Sequence, residues 1–127
     1  MLPGRSVLVV DSLEETREVL RSSLERRGVR ILAASEPEQG LALARRHRPD
    51  LIVLDLECRR GQARASEELA AASLADETPL VLLGSARRAP ASLPSDQFVS
   101  KPYHYGPLIR KIEELLEQAR QPATRAG

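Results

Sequence analysis

The sequence predicts an α/β fold in which helices cover both faces of a doubly wound, five-stranded parallel sheet. Strand and helix patterns alternate five times along the chain, and the strand-like runs, such as Val-Leu-Val-Val at 7–10 and Leu-Ile-Val-Leu at 51–54, are continuously apolar. Apolar runs of this length are typical of strands buried on both faces, as in a parallel sheet. Five right-handed βα units then give the strand order 2-1-3-4-5, which is flavodoxin-like.

Each element has its own start and stop signals. Ser12 to Glu15 form a capping-box pattern that opens the first helix, and Gly28 ends it. Pro37 suits the first turn of the second helix, which Pro49 stops after about His47. The predicted strands span 6–11, 29–34, 51–55, 80–84 and 97–100, and three further helices or helical stretches span 35–47, 62–76 and 103–120.

Two segments are predicted to be irregular. Pro90 and Pro94 indicate that any fourth helix within 85–96 is shortened or broken. Residues 121–127 are predicted to be a frayed polar tail. The 127 residues are expected to form one domain, with an ordered core at 5–120, because the length suits a single core and no linker or repeat interrupts it.

Composition excludes several classes of function. A net charge of +1 selects neither nucleic acid nor membrane, and an aromatic content of 2% argues against a platform on which bases stack. The paired arginines are interpreted as solvated surface, with a phosphate- or RNA-binding patch as the alternative. One cysteine, Cys58, excludes an internal disulfide, and the chain lacks a signal-peptide core and any long apolar run. We therefore expect a cytoplasmic protein that does not bind a membrane.

Three charged residues end three of the predicted strands. Asp11 and Asp55 follow strands one and three, and Lys101 follows strand five. The carboxyl ends of parallel strands meet at one edge of the sheet, which is where open α/β folds place their sites. Two carboxylates and an ammonium at this edge are suited to hold a divalent cation and a phosphoryl group.

These residues and their neighbours resemble the receiver domain of two-component response regulators over residues 5 to 120. The run from Pro49 to Asp55 is similar to the strand that ends in the phosphoaccepting aspartate of that family. Lys101 and Pro102 match its active-site lysine and the following proline, often joined by a cis bond, and Phe98 lies where the family has its switch aromatic. Asp11 matches the first of the two acidic residues after strand one.

The resemblance implies phosphoryl transfer from a histidine kinase or phosphotransfer protein to Asp55, with an unknown downstream protein partner and homodimerisation left open. Asp55, Asp11 and the backbone carbonyl of Glu57 would hold Mg²⁺, and Lys101 would pair with a phosphoryl oxygen. Such a protein is a phosphoacceptor rather than an enzyme that turns over a separate substrate.

The sequence departs from the family pattern around this site. Ser12 replaces the second acid, so Mg²⁺ should bind weakly, although the Glu57 carboxylate could compensate in part; Ser12 itself is predicted to be an N-cap paired with Glu15. Gly84 replaces the hydroxyl residue at the end of strand four. Ser85 could supply that hydroxyl only if a bulge shifted the register. Without it, Phe98 is interpreted as plain core packing or as a switch residue without its partner.

Two further departures concern loops. Only 14 positions separate Gly84 from Phe98, about five fewer than the family pattern leads us to expect. After Asp55, the run from Cys58 to Gly61 adds Arg59 and Arg60, which are predicted to be solvated or, alternatively, to meet a phosphoryl oxygen. His47 and His104 are predicted to be surface residues, and Cys58 a small apolar residue.

Two functions follow, and both are binding modules on one fold. The first is a receiver phosphorylated on Asp55, and the second is a divergent receiver that binds partners without phosphorylation. A nucleotide-binding enzyme is unsupported, because no glycine-rich loop follows strand one and the run from Asp11 to Glu15 is acidic. The arginine clusters alone do not imply that this domain binds nucleic acid directly.

Overall fold

The computed structural model describes residues 2, 4–57, 63–85 and 98–125, with backbone only for residues 63 and 119–125. Within these residues there are five strands and four helices. In chain order they are β1 (Ser6–Val10), α1 (Glu14–Glu25), β2 (Arg30–Ala34), α2 (Pro37–His47), β3 (Leu51–Asp55), α3 (Ala63–Ala75), β4 (Leu80–Gly84), β5 (Phe98–Ser100) and α4 (Tyr105–Arg125).

The five strands form one parallel sheet in the order β2-β1-β3-β4-β5, which confirms the predicted fold class. Every residue of β3 and β4 is buried, as expected of central strands that are covered on both faces. The two central strands and β1 therefore carry the apolar runs that predicted the fold.

Two apolar layers lie on opposite faces of the sheet. Val7 and Val9 of β1 belong to the layer that contains the buried leucines of α1 and the apolar face of α4. Leu8 and Val10 belong to the layer that contains Leu41 of α2 and the buried residues of α3. Successive side chains of a strand point to opposite faces of the sheet, so the apolar residues of β1 pack into both layers.

The start of α1 differs from the prediction. The helix begins at Glu14, the N-cap position is Leu13 without a side-chain cap, and Ser12 is exposed. The predicted capping box is therefore wrong: the buried Asp11 carboxylate lies closer to the turn, and its Oδ1 accepts the Leu13 N–H at 2.9 Å. Leu13, which precedes the first helical residue, is 58% exposed.

The end of the chain also differs. The last helix begins at Tyr105 rather than Tyr103 and continues to Arg125, so the prediction of a frayed tail from residue 121 is wrong for 121–125. The helix therefore continues through Pro122, which lacks the N–H donor of other helical residues. The predicted short or broken helix within 85–96 lies, apart from Ser85, outside the described residues.

Two glycines are required by the backbone or by packing. Gly28 has a positive φ of 88° in the turn after α1, a conformation that side chains with a Cβ disfavour. At Gly40, a Cβ would lie 2.6 Å from Val10 Cγ2, so α2 approaches β1 more closely than any other residue would allow.

None of the helices in the described residues combines the length and apolarity needed to cross a bilayer.

Candidate functional site

The sheet topology brings three charged residues together at its carboxyl edge. Asp55 ends β3, Asp11 directly follows β1, and Lys101 directly follows β5. Both carboxylates are buried, each residue being 1% exposed, and the Lys101 side chain is 25% exposed. The convergence predicted from the three strand ends is what the backbone produces.

The Asp55 carboxylate is held from two directions. Its Oδ1 accepts a hydrogen bond from Lys101 Nζ at 2.9 Å and another from the Glu57 backbone N–H at 2.9 Å. The first contact is an ion pair and the second fixes the turn that follows β3. Together the two contacts fix the orientation of the Asp55 carboxylate at the edge of the sheet.

Asp11 is in a less compensated environment. Its Oδ1 accepts the Leu13 N–H, but its buried Oδ2 has no hydrogen-bond partner. The pKa of Asp11 is raised from 3.8 to about 6, chiefly by burial and also by the negative charge of Asp55, which together outweigh the lowering effects of the Leu13 hydrogen bond and of Lys101. The Asp11 backbone carbonyl also accepts a hydrogen bond from Arg17 Nη1 at 2.7 Å.

The unpartnered Asp11 oxygen is what a cation site at this edge would require. Carboxylate oxygens are the ligands that Mg²⁺ prefers, and this ion retains several waters when few protein ligands are available. Among the described residues, no group of three His, Cys, Asp or Glu side chains converges on one point. Asp11 and Asp55 therefore fit Mg²⁺ as a two-carboxylate site, and we expect weak binding because Ser12 supplies no charge.

Glu57 is the residue whose contacts the sequence did not reveal. Its Oε1 lies 3.3 Å from Lys101 Nζ, and its Oε2 accepts the Ser85 backbone N–H at 3.3 Å. Hydrogen bonds from Lys101 and then Ser85 hold the pKa of Glu57 below its usual value. Burial lowers the pKa of Lys101, but the bonds and charges of Asp55 and Glu57 outweigh it and raise the pKa overall.

The end of β4 lacks a side chain that points at the site. Gly84 pairs with Ser100, and the β3–β4 and β4–β5 pairs run without an inserted residue. These pairs therefore contain no bulge that would move Ser85 into the position that Gly84 occupies. A Cβ on Gly84 would lie 3.4 Å from Leu56 Cβ and 3.9 Å from Phe98 Cζ. The half-buried Phe98 ring therefore points toward Gly84 and packs against the layer that contains Leu56.

The remaining predicted residues fall in different places. Lys101 and Pro102 are joined by a cis peptide bond, as the resemblance led us to expect. His47 and His104 are exposed, which confirms that they are surface residues. Cys58, Arg59 and Arg60, with the rest of residues 58–62, lie outside the described residues.

A hydroxyl pair next to the site was also missed by the sequence reasoning. The buried Thr16 Oγ1 of α1 lies 3.2 Å from the Tyr105 hydroxyl of α4, and the Tyr105 ring meets that of Tyr103 edge-on at 5.9 Å. Burial raises the pKa of Tyr103. These contacts tie the start of α1, which follows Asp11, to the start of α4, which follows Lys101.

Comparison with known proteins agrees with this geometry. The family model described as the response regulator receiver domain matches residues 7–113. The chain is 30% identical over 118 residues to the KDP operon transcriptional regulatory protein KdpE of Escherichia coli, covering 89% of this chain and 52% of that protein. It is 30% identical over 134 residues to the transcriptional regulatory protein AfsQ1 of Streptomyces coelicolor, covering 94% and 54%. The chain thus spans about half the length of these curated relatives.

Solved structures share the fold at lower identity. The chemotaxis protein CheY4 of Vibrio cholerae aligns with a TM-score of 0.72 at 19% identity, over 87% of this chain and 98% of that one. The receiver domain of the TMAO respiratory system response regulator TorR aligns with a TM-score of 0.74 at 17% identity, over 91% and 98%. At these identities the structural likeness supports the fold.

Proposed function

Since this chain belongs to the response regulator receiver family, we propose that it accepts a phosphoryl group on Asp55 and signals through a protein partner. One observation carries the proposal. The buried Asp55 carboxylate ends the central strand β3, bonded at 2.9 Å to Lys101 Nζ, at the edge where the buried Asp11 Oδ2 has no partner. That arrangement combines a nucleophile, an ammonium and an oxygen suited to a cation.

The transfer places few chemical demands on the protein. A carboxylate oxygen of Asp55 attacks the phosphorus of a phosphohistidine, the P–N bond breaks, and its electron pair returns to the imidazole of the donor. Lys101 neutralises charge on the phosphoryl oxygens, and backbone N–H groups at the edge orient them. Asp11, Asp55 and the Glu57 carbonyl would hold Mg²⁺, which when bound would supply positive charge next to the phosphoryl oxygens.

Partners follow from this chemistry. The proposed donor is a histidine kinase or a phosphotransfer protein, because the imidazole of a phosphohistidine is a good leaving group for transfer to a carboxylate. The receptor of the signal is a protein that distinguishes the two states of the domain. We also propose that the protein is located in the cytoplasm and that residues 1–127 form one receiver domain.

A second function is favoured by the substitutions around Asp55. Gly84 offers no hydroxyl to a phosphoryl group, and Ser12 removes a carboxylate from the cation site. A receiver fold that binds its partner without phosphorylation would tolerate both changes. In that case Asp11, Asp55 and Lys101 are retained as structural contacts.

Phosphorylation by a small donor separates the two functions. Phosphoramidate and Mg²⁺ should produce a phosphoryl adduct that intact-mass spectrometry detects, with ammonia as the leaving group. Asp55→Asn should abolish the adduct, whereas the control Asp76→Asn, an exposed aspartate after α3, should retain it. If the wild-type protein forms no adduct at any Mg²⁺ concentration, phosphorylation on Asp55 is excluded and the second function is favoured.

A further inference from the structure

The Glu57 side chain spans the two donors that lie next to the proposed phosphorylation site. One carboxylate oxygen is 3.3 Å from Lys101 Nζ, and the other accepts the Ser85 backbone N–H at 3.3 Å. The same Lys101 nitrogen is 2.9 Å from Asp55 Oδ1. Glu57 therefore bridges from the end of β3 to the residues that follow β4 and β5.

These donors are the ones that a phosphoryl group on Asp55 would need. Any tetrahedral group bonded to the Asp55 carboxylate has its oxygens within a few ångströms of Lys101 Nζ. An anion at such a place is stabilised by the ammonium and by backbone N–H groups that point at it. Gly84 contributes no side-chain donor. Lys101 and the Ser85 N–H are therefore more important for stabilising the phosphoryl oxygens than they would be if residue 84 carried a hydroxyl.

We propose that in the unmodified protein the Glu57 carboxylate occupies the subsite for the phosphoryl oxygens and competes with an incoming phosphoryl group. The inference rests on the proposed function, because it assigns the occupant of that same site. A carboxylate can occupy this subsite because it is anionic and presents two oxygens at a spacing close to that of two phosphoryl oxygens. Glu57 thereby restrains phosphorylation until its side chain turns away.

The position of Glu57 allows that movement. Its side chain is 27% exposed, whereas the Asp55 side chain is 2% exposed. Turning the carboxylate toward solvent therefore exchanges two partly exposed contacts for water and disturbs no apolar layer. Exposed ionic contacts of this kind are weak, so the occupant is displaceable rather than permanent.

Binding of orthophosphate tests the competition without any chemistry. The dissociation constant of orthophosphate is measured from the amide resonances of Ser85 and Lys101 at a fixed Mg²⁺ concentration. It should be about three- to tenfold lower in Glu57→Ala than in the wild type, because the variant lacks one exposed ionic competitor. The Ser85 amide should also shift between wild type and the variant before phosphate is added. Glu15→Ala, which removes an exposed acid from the first turn of α1 at the same edge, controls for net charge and should change neither quantity.

Phosphorylation by phosphoramidate provides the second readout, and Glu57→Ala should form the Asp55 adduct faster by a similar factor. Equal or weaker orthophosphate binding in Glu57→Ala, or an unchanged Ser85 amide, overturns the inference. Failure of the proposed function looks different: no variant and no wild-type protein forms an adduct. The orthophosphate and amide measurements still decide the role of Glu57 in that case.

Discussion

At the scale of single residues, Asp11 carries the least compensated charge of the site. Its carboxylate is buried, one oxygen has no hydrogen-bond partner, and the negative charge of Asp55 is close by. Folding therefore disfavours the charged form, and the pKa of Asp11 rises to about 6. The residue that suits a cation is thus a liability to the metal-free protein.

Replacing Asp11 by Asn should stabilise the metal-free protein at neutral pH. The raised pKa means that the ionised side chain costs folding free energy fully above about pH 6, and that this cost disappears as the pH falls toward 3.8. A shift of about two pH units corresponds to about 2–3 kcal/mol. Asn keeps the acceptor for the Leu13 N–H, so the turn after β1 is retained.

Urea unfolding in the presence of a chelator measures this effect. Asp11→Asn should exceed wild type in free energy of unfolding at about pH 7.5, with the difference shrinking by about pH 4.5. A variant that is less stable than wild type at the higher pH would show that the buried charge is compensated by contacts other than those described.

At the scale of elements, the packing of α2 on β1 depends on the absence of a side chain. Gly40 faces Val10, whose side chain is fully buried between β1 and the layer formed by α2 and α3. The β-branched Val10 is restricted at χ1 and fully buried, so its side chain cannot move aside cheaply. The helix is consequently held where β1 turns toward Asp11.

Gly40→Ala should destabilise the protein, although alanine is the better helix former. The new Cβ would lie 2.6 Å from Val10 Cγ2, and overpacking of this kind costs about 1–3 kcal/mol. Gly106→Ala in the first turn of α4 is the control, because apart from its chain neighbours its Cβ would meet the flexible Arg110 side chain, at 3.8 Å. Thermal unfolding should show a lower Tm for Gly40→Ala than for both the wild type and Gly106→Ala.

At the scale of the whole molecule, the proposed cation site would link metal binding to global stability. An ion that binds only the folded protein stabilises it by mass action, by about 1.4 kcal/mol when its concentration is ten times the Kd. Asp11 and Asp55 come from strands whose spacing exists only in the assembled sheet, so the unfolded chain offers no comparable site. Mg²⁺ should therefore raise the Tm of the intact domain.

Ser12→Asp should strengthen this effect by supplying a third carboxylate at the edge. Affinity for hard cations rises with the number of charged ligands, so the Mg²⁺ concentration needed for a given rise in Tm should fall several-fold. Thermal unfolding over a Mg²⁺ series at constant ionic strength measures it, with Asp11→Asn as the variant that should respond least. If Ser12→Asp and wild type respond alike, position 12 does not face the cation.

The sequence by itself determined the sheet, and it placed the carboxyl end of each strand to within one residue. Continuous apolar runs such as 51–54 are compatible with little except a strand covered on both faces, and the charged residues that follow them must then lie at one edge. The approach of Lys101 to Asp55 was predictable on this ground, because strand order alone brings the carboxyl ends together. The fold class and the family resemblance followed from the same local patterns.

The tertiary structure alone decided which polar groups meet within the site. The capping box at Ser12 is locally plausible, but the buried Asp11 carboxylate reaches the Leu13 N–H instead. Likewise, nothing in the run after Asp55 indicates that Glu57 contacts Lys101 and Ser85, because those partners arrive from β5 and the end of β4. Local patterns report short-range energies, whereas the partners of a polar side chain depend on chain segments that only the folded sheet brings together.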